Sequence, residues 1–177
     1  MGGIFNQDTT AKARWLRPSF GGRTPAATNQ TVTAGRCYLS LIEVEKEATI
    51  DSITLINGGT VAGNAIVGIY REATVDTPQG ATLIATSADT ALSGISTAQA
   101  ISLTSPVTLS PGRYYAAMHY SDGTHIALRQ AGTVAQAPTD KYIGSYFSQT
   151  YGALPVTAPA VFIYVTIPHC NLRVVQP

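Results

Sequence analysis

The chain has 177 residues, of which 45% are hydrophobic and 12% charged, with a formal net charge of +1. This length fits one domain with an appendage, and the apolar share is enough for a buried core, which excludes a disordered tail. The near-neutral balance offers no basic stripe for nucleic acid, and no run of about 18 apolar residues is present to span a membrane.

The charged share is about half the usual one. Ala, Thr, Ser and Gly take its place, so the surface is weakly protected against association. Either the chain is a β-protein rich in small residues, or partners in an assembly cover much of it.

Residues 1–36 differ from the rest. Lys12, Arg14, Arg17, Arg23 and Arg36 stand against one acid, Asp8, and Pro18 and Pro25 interrupt a run of small polar residues. Such a segment cannot bury a core of its own. It reads as an extended N-terminal arm, either a strap along its own sandwich or a docking arm. In the docking reading Trp15 and Phe20 are anchors, and Arg14, Arg17 and Arg23 meet acidic patches on a partner. The start, Met1 to Asn6, has neither the basic stretch nor the apolar core of a secretory signal, so export by that route is not expected.

From residue 37 to 177 short apolar runs alternate with turn residues. Strands are predicted over 37–44, 49–57, 65–71, 82–85, 98–103, 107–109, 113–120, 125–130, 161–167 and 171–175. The separators carry Asn57-Gly58-Gly59, Ser93-Gly94, Ser110-Pro111-Gly112 and Asp122-Gly123, where Gly allows positive φ, Pro presets φ and Asp or Asn bonds its own backbone. No segment keeps a period near 3.6, so no long helix is expected. The pattern predicts an all-β protein, an antiparallel β-sandwich.

Asp122-Gly123 predicts a tight type I′ hairpin between 114–121 and 124–130. That register sets Tyr120 against His125 and sends His119 and His125 to opposite faces. Residues 131–160 form the longest irregular stretch and hold Tyr142, Tyr146, Phe147 and Tyr151 among Gly, Ser, Gln and Pro. A long loop of this kind either closes one edge of the sandwich or forms a contact surface, since Tyr is favoured at interfaces. Aromatic faces also stack on sugars, which keeps a glycan site open.

Chemical motifs are absent. There is no H-E-x-x-H, C-x-x-C, Walker loop or G-x-G-x-x-G. His119, His125, His169 and Cys170 do not converge in the predicted register, so neither a zinc site nor any other cofactor is expected. The acids fall mostly in turns. Cys37 and Cys170 lie near the first and last strands of the sandwich. A bridge there would stabilise by roughly 4–5 kcal/mol, but synthesis in a reducing cytosol makes two buried free thiols the expectation.

Four segments carry a resemblance: Ala48-Thr49-Ile50-Asp51-Ser52-Ile53, Val67-Gly68-Ile69-Tyr70-Arg71, Leu83-Ile84-Ala85, and Leu109-Ser110-Pro111-Gly112-Arg113-Tyr114-Tyr115-Ala116-Ala117. Together they resemble the jelly-roll-type sandwiches of tailed-bacteriophage tail, fibre and capsid-decorating proteins, over a little under half of the chain. The segment from Tyr151-Gly152-Ala153-Leu154-Pro155 to the end fits more loosely. The resemblance implies a non-enzymatic virion protein, made in the host cytoplasm, with no catalytic residues to carry over. One sandwich and an arm, without shaft or coiled coil, favour a small accessory protein that decorates or cements the capsid. Its partners would then be the major capsid protein or another virion protein, and its own copies as a dimer or trimer. The alternative is a tail or fibre-tip module that binds host glycan.

Overall fold

The computed structural model describes residues 14–16, 26–75, 77–131, 144–163 and 166–175. Among them run fourteen strands and no helix. They are β1 (Arg14–Leu16), β2 (Ala26–Thr31), β3 (Arg36–Val44), β4 (Ala48–Ile56), β5 (Asn64–Arg71), β6 (Thr82–Thr86) and β7 (Thr90–Ala91). Then follow β8 (Ala98–Leu109), β9 (Gly112–Tyr120), β10 (Ile126–Ala131), β11 (Gly144–Ser148), β12 (Phe162–Ile163), β13 (Thr166–Pro168) and β14 (Cys170–Val175).

Every strand pairing is antiparallel. Seven strands form one sheet in the order β12-β11-β3-β9-β5-β6, with β7 also on β5. A four-stranded sheet, β1-β14-β4-β8, and a three-stranded sheet, β13-β10-β2, complete the fold. The two smaller sheets meet end to end. Only His169 separates β13 from β14, and Asn57, just after β4, bridges Ala127 of β10. The chain changes sheet from β3 to β4, from β4 to β5 and from β8 to β9, as sandwiches with Greek-key connections do. The predicted antiparallel β-sandwich is therefore the observed fold.

The main core lies between the layers. Ile50, Ile53, Leu55, Ile101, Leu103 and Leu172 of the four-stranded sheet meet Tyr38, Ile42, Val67, Ile69, Ala116 and Met118 of the seven-stranded one. A second core covers the other face of that larger sheet, with Leu39, Leu41, Ile66, Tyr70, Tyr115, Ala117 and Phe147. Alternation sends neighbouring residues to opposite faces. Runs such as Tyr38-Leu39-Ser40-Leu41-Ile42 are apolar on both, as in strands buried on two sides.

Residues 149–161 cover this second face as a strap. Leu83 N–H donates to the Val156 carbonyl at 2.8 Å, Ala158 N–H to the Ala81 carbonyl at 2.8 Å, and Gly80 N–H to the Ala158 carbonyl at 2.9 Å. The Tyr70 hydroxyl donates to the Pro155 carbonyl at 2.8 Å. Leu154 packs over Gly68, where a Cβ would stand 2.5 Å from Leu154 Cδ1 and 2.9 Å from the Ala85 carbonyl oxygen. Of the long loop predicted over 131–160, residues 149–160 thus cover this face and, through Val156 to Ala158, close the β6 edge of the large sheet. Residues 144–148 are not loop at all but strand β11, paired to β3.

The hairpin at Asp122-Gly123 does not form. Strand β9 already has β3 on one edge and β5 on the other, so neither edge is left for β10. The chain instead crosses to β2 and β13. Asp122 Oδ1 accepts from Thr124 N–H at 2.6 Å and from its hydroxyl at 2.7 Å, an Asx turn that suits a change of direction. His119 and His125 still end on opposite sides of the large sheet, and the His125 ring stacks on Tyr120 with centroids 5.2 Å apart.

The predicted strands 98–103 and 107–109 are one strand, β8, with a bulge where Pro106 cannot donate to the ladder. The predicted strand 161–167 divides into β12 and β13, which belong to different sheets. The segment expected as an arm supplies two strands of the body. Strand β2 pairs along β10 from Ala26 to Thr31, and β1 pairs with β14. The strands of the sandwich therefore begin before residue 37, the first of the described ones at Arg14.

Candidate contact surface

The aromatic residues expected to share one contact loop go to different places. Because side chains alternate along β11, Tyr146 and Phe147 point to opposite faces. Tyr146 sits opposite Tyr38 of β3 and Phe162 of β12. Its ring stacks on Phe162, with centroids 5.3 Å apart at 26°, and lies 6.5 Å from Tyr38. The Arg36 guanidinium carbon stands 4.3 Å from the Tyr146 centroid. Arg36 and Phe162 thus flank Tyr146 from the strands on either side. A cation–π contact of this kind is worth about 0.5–1 kcal/mol where it is partly exposed.

Phe162 is 56% exposed and Ile163 54%. Strand β12 is the last strand of the large sheet among the described residues, so these two apolar side chains mark a sheet edge. Edge strands usually carry charge or proline to discourage pairing. This one carries neither, although it is only two residues long.

Phe147 is fully buried and packs edge-to-face on Tyr70, with centroids 6.4 Å apart. Its place in the expected contact set is corrected to the second core. Tyr151 is half-buried on the strap. Its hydroxyl donates to Asp89 Oδ1 at 2.6 Å and its ring lies 5.0 Å from that of His119. Burial, and then Asp89, hold its phenol well above the usual pKa. Tyr142, Arg17, Phe20 and Arg23 lie outside the described residues. Arg14 and Trp15 lie in β1, in register with Val174 and Arg173.

Among the described residues the arrangement nearest to a reactive centre is Cys37, His119 and Gln149. Cys37 and His119 oppose each other across β3 and β9, and Gln149 Nε2 lies 3.3 Å from His119 Nδ1. A nucleophilic thiol must be accessible and ionised near neutral pH. Cys37 is fully buried, and burial drives its pKa far upward. The same cause pushes Cys170 up to about 12. Both thiols are free, as expected, and they lie in different sheets. Among the described residues no group of three His, Cys, Asp or Glu side chains converges to hold a metal ion.

Sequence reasoning missed Arg36, Phe162 and Ile163. Arg36 looked like one more charge of the arm. Val161-Phe162-Ile163 falls in the predicted strand 161–167, and nothing local marks it as a sheet edge. No family model matches the chain, and no curated protein matches it.

Proposed function

We propose that the chain is a non-enzymatic structural protein of a tailed-bacteriophage particle, decorating or cementing the capsid. The observation that carries this reading is the apolar edge formed by Phe162, Ile163 and the half-buried Tyr146 on a body with only 12% charged residues. Apolar and aromatic groups beside Arg are the composition of interface centres. The four resembling segments support the same reading, since they lie on β4, β5, β6, β8 and β9 of the sandwich. The partner is the major capsid protein or another virion protein, and repeated copies would add avidity by effective concentration. Residues 1–13 remain the docking arm of this proposal, with Arg14, Trp15, Arg17, Phe20 and Arg23 next to them.

The test is co-sedimentation with capsids stripped of accessory proteins, beside a parallel assay on host cells. The paired change Phe162→Ser and Ile163→Ser is expected to weaken capsid binding at least tenfold. Stability should change by no more than about 1 kcal/mol, as for exposed positions. Removal of residues 1–13 is expected to weaken binding with the sandwich intact. The deletion stops there because Arg14–Leu16 pairs with β14 and Ala26–Thr31 with β10. Unchanged capsid binding in both variants would overturn the reading. Cell binding without capsid binding would favour the glycan-binding tip, for which the exposed Phe162 ring stacked on Tyr146 is the supporting feature.

A further inference from the structure

We propose that residues 149–161 form an acid-released strap, held closed by neutral His119 and freed when that imidazole takes a proton. The argument starts from one amide. Gln149 Nε2 lies 3.3 Å from the Ala153 carbonyl oxygen and 3.3 Å from His119 Nδ1. A carbonyl can only accept, so the atom facing it is the amide NH2. The same NH2 then donates to Nδ1, which must be the unprotonated nitrogen. A doubly protonated imidazole would set two donors against each other. Turning the amide over would relieve that clash but would set its oxygen against the Ala153 carbonyl. The Gln149 side-chain contact therefore fits an imidazole whose Nδ1 carries no proton.

The surroundings compensate the charged form only in part, through the strap backbone at Gly152 and Gln149, and burial outweighs them. His119 is fully buried, and its Nε2 makes no hydrogen bond of normal geometry. Around the ring stand Cys37 from β3, Ile66 from β5, and Gln149 and Tyr151 from the strap, with Phe147 of β11 beyond Cys37. The nearest acid from the β6–β7 connection, Asp89, is behind the Tyr151 phenol and accepts its hydroxyl. Burial holds the His119 pKa below the ordinary imidazole value, with the backbone at Gly152 and Gln149 offsetting part of that effect.

The sign follows from linkage. A depressed pKa in the closed state means that closure is strongest above the ordinary value of about 6.5 and weakens as pH falls below it. Opening frees His119 to bind a proton, so the opening equilibrium rises up to about tenfold per pH unit until the closed-state pKa is reached. An opened strap would uncover Leu39, Tyr70 and Phe147 on the second face of the large sheet. That is an apolar surface hidden at neutral pH.

Hydrogen exchange on the full chain tests this at pH 7 and pH 5, after correction for intrinsic exchange. The amides of Gly80, Leu83 and Ala158 report the strap directly. Their protection is expected to fall from pH 7 to pH 5 by more than that of amides of the β3–β9 ladder, which report global unfolding. His125, the other buried imidazole, stacks on Tyr120 across the sheet, so its titration does not act on the strap amides first. In His119→Gln the pH response of the three strap amides should vanish. Strap protection that is independent of pH, that falls in step with the ladder, or that responds equally in His119→Gln overturns the proposal. Should that variant fail to fold, the ring of wild-type His119 can be followed by NMR. Ring and strap amides must change together, and a ring that titrates under a closed strap overturns the proposal equally.

Discussion

Phe147→Ala should lower the unfolding free energy by about 3–5 kcal/mol, the range for emptying a buried aromatic site. Phe147 is fully buried, packs edge-to-face on Tyr70 and belongs to the cluster of Leu39, Leu41, Tyr115 and Leu154. Little can collapse into the space, because a strand ladder lies beneath it and the strap is fixed above by Tyr70 and Pro155. Denaturant unfolding measures the loss. The comparison residue is Phe162, two strands from β3 on the sheet's edge and 56% exposed, whose change to Ala should cost less than about 1 kcal/mol. Equal costs at the two positions would contradict the assignment of one to the core and the other to the surface.

Gly68→Val should destabilise by about 1–3 kcal/mol or more, through overpacking. Gly68 lies in the middle of β5, and its lack of a side chain lets Leu154 and the strap approach the sheet. An added Cβ would come within 2.5 Å of Leu154 Cδ1 and 2.9 Å of the Ala85 carbonyl oxygen. The leucine tip can turn aside, but the carbonyl belongs to the neighbouring strand and cannot move without disturbing the β5–β6 pairing. Thermal unfolding should show the loss, and strap amides should exchange faster than those of β3 and β9. If Gly68→Val were neutral, the strap could not lie where it does. Shortening the strap residue in a Gly68→Val, Leu154→Ala double variant should not restore full stability, because the backbone clash remains.

The strands most legible in the sequence are β3, β4, β5 and β9. Each is an apolar run closed by Gly, Pro or acidic residues, and each was placed to within a residue or two. Strand β2 gave no signal, since Ala-Ala-Thr-Asn-Gln-Thr neither alternates nor carries large apolar groups. Its strand state comes from pairing with β10, a long-range fact. Strand β11 was hidden by its shortness among Gly and Ser. The Asp122-Gly123 turn shows the limit most clearly. Local chemistry favoured a hairpin, and the occupation of both edges of β9 forbade it. The same limit applies to the surface. Tyr146 and Phe147 read alike in the predicted loop and Phe162 as part of a strand, and only sheet order makes the first a half-buried stack, the second core and the third an exposed edge. Sheet order is set by contacts distant in the chain.

The proposed role makes this sandwich a structural part of a virion. The most direct measurement is the copy number of the chain in purified particles made from the genome that encodes it, by quantitative mass spectrometry against the major shell subunit. Copies in a fixed ratio to that subunit, lost together when Phe162 and Ile163 are both changed to Ser, are the result predicted. Particles that are complete and infectious without the chain bound to them would contradict the account.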